Sequence, residues 1–332
     1  MKTRVFLTVD VEFSIAGAFA HPRSRTPIGV ESVLGVANGR SEGLQFVLDT
    51  LGSRGLRATF FVEALQALYF GDEPMQGICS RLRAGDHDVQ LHLHPVWEFI
   101  AQADWQHRLA SEEPNDDLDG RQVKQVADWL QSGIDTFARW RLPAPVAFRA
   151  GSNRVDRNVY RAMAAVGMKL ASNVARGIFD PAEHALRLSG GVHRIEGVVE
   201  VPVTSFFSGR SWPMSRCKSL TITGTSQREL ISIFDTAHAQ GQHVLTLLTH
   251  CHEFFKGDAR NGVQINRINQ ARFTALCDYL CAGSDRFEIV VMRDLVQGAD
   301  ALPVIAGPDI RLPLGMAFHR MWQNKLNDFG LA

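Results

Sequence analysis

Short runs of mainly apolar residues alternate along this chain with longer segments whose apolar positions recur every three or four residues. The runs RVFLTVD (4–10), LRATFFVE (56–63), HDVQLHLH (87–94), PVAFRAG (145–151), MKLASNV (168–174), VVEVPVTSF (198–206), HVLTLLTH (243–250) and RFEIVVM (286–292) predict strands. The intervening segments 41–55, 73–85, 119–140, 155–167, 226–241 and 265–282 predict helices. Ser41 and Ser226 stand where N-caps are expected, and Gly55 where the first long helix should stop.

Strand followed by helix, repeated along the chain, predicts a parallel sheet covered by helices. Several of the strands are apolar nearly throughout, as strands buried on both faces must be. The expected fold class is therefore α/β, a closed or nearly closed (β/α)7–8 barrel, with a doubly wound open sheet as the alternative. Residues 1–300 read as a single barrel domain and 301–332 as a C-terminal extension, rich in proline and then helical, packing on its outside. Two stretches break the alternation: a Gly-, Ser- and Pro-containing loop at 13–40 and a Trp- and acid-rich insertion at 97–118. Loops of such length in a compact domain are often lids or binding loops.

Composition narrows the functional classes. With 35 basic and 35 acidic residues among 332, there is no electrostatic reason to expect a nucleic acid as partner. No apolar run approaches the roughly 20 residues that span a bilayer. Asp10 and Glu12 interrupt the apolar N-terminus, so it does not read as a signal peptide, and a cytoplasmic location is expected. Five scattered cysteines without a Cys-x-x-Cys fit reduced thiols. Nothing in the sequence argues against an oligomer.

The chemistry lies at strand ends. Catalytic groups of parallel barrels gather at the C-terminal ends of strands. The first strand ends in Asp10 and Glu12, the third in His92 and His94, the fourth in Arg149, and a later one in His250, His252 and Glu253. Residues two apart on a strand share a face, so each pair points one way. Imidazoles with a carboxylate make a common zinc set, and further acids or histidines can move protons. His87 reads as solvated, and the other histidines, His319 among them, as isolated structural or surface residues. Trp97 and Trp105 are aromatic candidates for a groove wall or for packing.

In order and spacing, VFLTVDVEF, LRATFFV, GDHDVQLHLHP, AFRAGSN and VLTLLTHCHEF resemble the polysaccharide deacetylase family, the NodB-homology group of carbohydrate esterase-like proteins, over about residues 3–295. The resemblance implies a distorted β/α barrel that removes N-acetyl or O-acetyl groups from sugars using one divalent metal, often zinc. Asp10 matches the family's catalytic base. Val11 stands where the second aspartate belongs, so Glu12 is the expected ligand in its place, with the exchange of the two acids' roles left open. His92 matches the first metal histidine and His94 replaces the second. Arg149 matches the arginine that orients the base, and His250 the acid, with Leu248 two residues before it. Trp97, Ser152 and His252 are the expected substrate contacts. The substrate implied is an acetylated sugar or a small amide. Three readings stay open beside it: a metal-free hydrolase of small cyclic amides, a non-catalytic carbohydrate-binding relative, and an amidohydrolase-type barrel.

Overall fold

The computed structural model describes residues 1–209, 216–258, 260–307 and 310–328. Its main sheet contains β1 (Thr3–Val11), β2 (Thr59–Glu63), β3 (Asp88–Leu93), β4 (Ala147–Ala150), β5 (Leu170–Ala171), β6 (His193–Ile195), β7 (Val198–Glu200), β8 (Val244–His250) and β9 (Phe287–Val290). The order is β8-β1-β2-β3-β4-β5-β7-β6, with β9 paired to β1. All pairings are parallel except β6 with β7.

The sheet curls into a distorted barrel. Its ladder does not close; an irregular segment bridges the gap. Thr204 N donates to Thr246 O at 3.0 Å, Thr246 N to Thr204 Oγ1 at 2.9 Å, and Leu248 N to Leu220 O at 3.0 Å. The predicted strand 198–206 breaks after Glu200, and Pro202, which has no N–H to give a ladder, lies at the break. The predicted strand 168–174 shortens to β5 for want of a continuous partner.

The longer helices are α1 (Leu44–Gly52), α2 (Glu73–Ala84), α3 (Val123–Arg139), α4 (Arg157–Ala165), α5 (Gln227–Ala239), α6 (Arg267–Ala282) and α7 (Leu314–Asp328). Ser226 caps α5 in a reciprocal box with Glu229. The N-cap of α1 is Gly43 rather than Ser41, although the Ser41 hydroxyl still accepts from Gln45 N at 3.2 Å. That helix stops at Gly52, and Gly55 lies in the turn beyond it at φ +63°. The loop 13–40 holds a short helix, Glu31–Leu34, and a two-stranded hairpin; the insertion holds Val96–Ile100 and Trp105–Arg108. In the C-terminal extension Arg320 pairs with the buried Glu229 of α5, while 308–309 and 329–332 lie outside the described residues. So does the side chain of His319.

Strand alternation sorts the core. Val5, Leu7, Val9 and Val11 of β1, Phe60 and Val62 of β2, and Leu91 and Leu93 of β3 face outward and meet the helices in the large apolar core. Phe6, Phe61, Ala147, Leu170, Val199 and Val244 belong to a second apolar cluster that plugs the barrel from within. Further along the inward face of the same strands come Thr8, Asp10, Glu63, His92 and Arg149, all buried. The barrel interior therefore changes from apolar to polar toward the C-terminal ends of its strands.

His87 is a correction to the sequence reading. It is buried, its Nδ1 accepts from Ala58 N at 3.3 Å, and burial lowers its pKa to about 4. It packs as a neutral ring against Phe60 instead of meeting solvent. All five cysteines are free thiols. No helix among the described residues is long and apolar enough to cross a membrane.

Candidate active site

Asp10 and Glu12 stand at the end of β1, and β1 pairs with β8 so that Asp10 lies beside His250. On the other side, β2 and β3 bring Glu63 beside His92, and β3 and β4 bring His92 beside Arg149. Five strands far apart in sequence thus deliver one cluster.

Arg149 is fully buried and spends its N–H groups on the barrel. Its Nη1 donates to Asp10 Oδ1 at 2.6 Å. Its Nη2 donates to Thr8 Oγ1 and Ser172 Oγ, each at 2.9 Å, and its Nε to Ser172 O at 2.9 Å. The guanidinium also lies over the Phe61 ring at 4.2 Å. Asp10 is thereby held by one oxygen, and its other oxygen faces His250 Nε2 at 3.7 Å.

Glu12 Oε2 lies 3.2 Å from His92 Nε2 and 2.9 Å from His94 Nε2. Donor atoms of these three residues all fall within 4.8 Å of one another. The far nitrogens decide what the near ones are. His92 Nδ1 is 2.8 Å from the carbonyl oxygen of Arg149, which can only accept, so Nδ1 carries the proton. His94 Nδ1 is hydrogen-bonded to the carboxylate of Asp116, again an acceptor. With that one proton on each ring, Nε2 of both would turn a lone pair toward the Glu12 carboxylate. Lone pairs facing an anion at that distance call for a positive charge between them, either a proton or a metal ion. Burial pushes Glu12 up, but the imidazoles of His94 and His92 outweigh it and hold its carboxyl well below the usual range. Burial likewise lowers His94, and the carboxylates of Glu12 and Asp116 outweigh it and hold its pKa well above the usual value. Two imidazole nitrogens and one carboxylate oxygen, with open space beside them, suit a zinc-type ion, which would take the place of any proton on Nε2. The residues fit such an ion.

His250 is oriented from behind: its Nδ1 is 3.0 Å from Glu253 Oε1, and Thr249 Oγ1 donates to Glu253 Oε2 at 2.6 Å. Burial pulls its pKa down, but Glu253, then Asp10 and Glu12, raise it to about 9.

A cavity of about 560 Å³ opens over the cluster, lined by Glu12, His94, Asp116 and His252 and walled by Phe13, Trp97 and Phe255. His252 is exposed at its edge, with its ring 4.9 Å from that of His250. Trp97 is buried, packed against Phe70, and offers the cavity only part of a wall. Trp105 packs against Phe19 and does not line the cavity. Ser152 is not brought to it either: it is exposed, in a turn at φ 53°.

Several positions that build the site were given no role by the sequence reading. Thr8 had a signal, being two residues before Asp10 on the same face, and Glu253 had one in its spacing from His250. Ser172, Asp116 and Gly151 had none. Gly151 is needed because a Cβ there would lie 2.6 Å from His94 Nδ1 and 2.8 Å from Leu93 O.

No protein-family model matches this sequence, and no curated protein matches it. Among solved structures, one from Mycobacterium smegmatis assigned to the polysaccharide deacetylases superposes with a TM-score of 0.56, covering 93% of this chain and 95% of its own at 15% identity. The chain has the polysaccharide deacetylase fold. Looser likenesses, each with a TM-score of 0.43, are a family 4 carbohydrate esterase of Streptomyces lividans (11% identity, 92% and 98% of the two chains) and a family 4 acetyl xylan esterase of Clostridium thermocellum (13%, 89% and 91%). Within the deacetylase fold, Glu12, His92 and His94 stand at the C-terminal ends of β1 and β3, with Glu12 and His94 lining the cavity and His92 buried behind them.

Proposed function

We propose that this chain is a metal-dependent deacetylase that hydrolyses an N-acetyl or O-acetyl group of a carbohydrate or sugar-containing metabolite. The observation that carries the reading is the convergence of two imidazole Nε2 atoms on one carboxylate at the mouth of a deacetylase-type barrel. Glu12, His92 and His94 are the proposed ligands, and one zinc ion the proposed occupant. When bound, such an ion lowers the pKa of a water and polarises an acyl oxygen.

The remaining groups divide the proton work. Asp10 is the base that takes a proton from the attacking water. Arg149 fixes its orientation and keeps a positive charge against it in a place closed to solvent. Both histidine Nε2 atoms turn to Glu12 and neither contacts Asp10, which supports Glu12 as the ligand and Asp10 as the base. His250, its pKa raised to about 9, is protonated near neutrality and donates to the leaving nitrogen or oxygen. Glu253 sets its tautomer, with Nδ1 bound and Nε2 toward the reacting atoms. The cavity's size supports a substrate portion of about one or two sugar rings. Trp97 and His252 are proposed as its wall and edge.

The test is acetate release from N-acetylglucosamine oligomers and O-acetylated sugars by zinc-loaded protein. Release is expected, and Asp10→Asn should lower it by about 10²–10⁴-fold while zinc stays bound. No release from any acetylated sugar by protein that holds zinc would count against the deacetylase reading.

A further inference from the structure

The two metal-facing histidines are held by different parts of the molecule. His92 belongs to the β3 ladder and its Nδ1 is bound by a β4 backbone carbonyl, so the barrel itself fixes it. His94 lies past Leu93, the last residue of β3 and of its ladder with β4. Its backbone N–H donates to Glu63 Oε1 at 3.1 Å, and its ring nitrogen is bound by Asp116 of the insertion. The Asp116 carboxylate is fully engaged: Oδ2 takes His94 Nδ1, and Oδ1 accepts from Val96 N at 3.1 Å. The insertion is tied in turn to the other long loop. Phe99 and Trp105 pack edge-on against Phe19, and Gln106 Nε2 donates to Pro22 O at 2.8 Å. Asp116 and residues 13–16 line the same cavity.

We propose that Asp116 is the positioning residue for His94, and that through it metal retention and the order of the 97–118 insertion are one coupled property. The inference rests on the metal-site reading above. A carboxylate on Nδ1 selects the tautomer that leaves Nε2 free to ligate and stops the ring from turning away. Gly151 leaves room for the ring on its other side. A ligand braced by a loop also braces that loop: anything that holds His94 in place holds Asp116 and, with it, one wall of the cavity. An asparagine at 116 could keep only one of the two acceptor contacts, because its amide would face either His94 Nδ1 or the Val96 N–H.

The experiment measures zinc affinity by competition with a chelating dye for the wild type, Asp116→Ala, Asp116→Asn and Gln106→Ala. Gln106→Ala loosens the insertion without touching His94. The expected result is a loss of about 10–100-fold in affinity for both Asp116 variants and a smaller loss, carried only through the loosened insertion, for Gln106→Ala. Zinc should also slow proteolysis within 97–118 in the wild type and not in Asp116→Asn, a variant of nearly the same shape chosen to keep the fold. Unchanged affinity in either Asp116 variant, an equal loss in Gln106→Ala, or equal protection by zinc in Asp116→Asn would overturn the proposal. A wild type that binds no zinc would instead overturn the metal-site reading on which it stands.

Discussion

Asp10 commits one oxygen to Arg149 and leaves the other toward His250, and His250 commits one nitrogen to Glu253 and leaves the other toward Asp10. Each proton-handling group is thus oriented from behind and free in front. The pH dependence follows. With His250 as the proposed acid, kcat/KM should fall as pH rises through about 9, the pKa it is held at against the downward pull of burial. Glu253 supplies the largest upward push, so Glu253→Gln should move that alkaline limb to lower pH. A pH–rate profile of the two proteins checks this; an unmoved limb would remove Glu253 from the role. Much of this scale was legible in the sequence. A strand's two-residue period puts Asp10 with Glu12 and His92 with His94 on common faces wherever the strands fall. Asp116 and Ser172 were not legible, because their roles depend on where an insertion and a neighbouring strand arrive in space.

At the scale of elements, β3 and the turn after β4 meet at a close approach that only glycine permits. Gly151→Ala would set a Cβ 2.6 Å from His94 Nδ1 and 2.8 Å from the Leu93 carbonyl, and one of them must move. The ring is the softer partner. Weakened zinc affinity is expected, with a stability loss of about 1–3 kcal/mol, the usual range for overpacking. Thermal unfolding with and without zinc separates the two effects: the variant should gain less from zinc than the wild type does. The helices and most strands were readable from periodicity, and Ser226 as a cap from its place before the apolar pattern of α5. The ends of β5 and β7 were not, since an apolar run reads as a strand whether or not a partner continues beside it. Buried Glu200 is an example. It accepts from Asn173 N and Val174 N and from the Tyr160 hydroxyl, and burial raises it to about 7, contacts that the predicted strand 198–206 did not mark.

Over the whole molecule, the sheet serves as a gradient. Apolar residues plug one end of the barrel, and charged groups that would be costly to bury are paired at the other. Arg149 makes this workable: a buried cation satisfied on several sides lets two carboxylates, Asp10 and Glu12, sit two positions apart at the end of β1. Glu12 must find its own positive partner, and the two histidine nitrogens do not supply one while they are neutral. That need for a cation at one point is the centre of the account. It is tested most directly by elemental analysis of the purified protein beside a His92→Ala, His94→Ala double variant. The account predicts about one zinc or similar transition-metal ion per chain in the wild type and none in the variant. Absence of metal from the wild type after incubation with zinc, or its retention in the double variant, would contradict it.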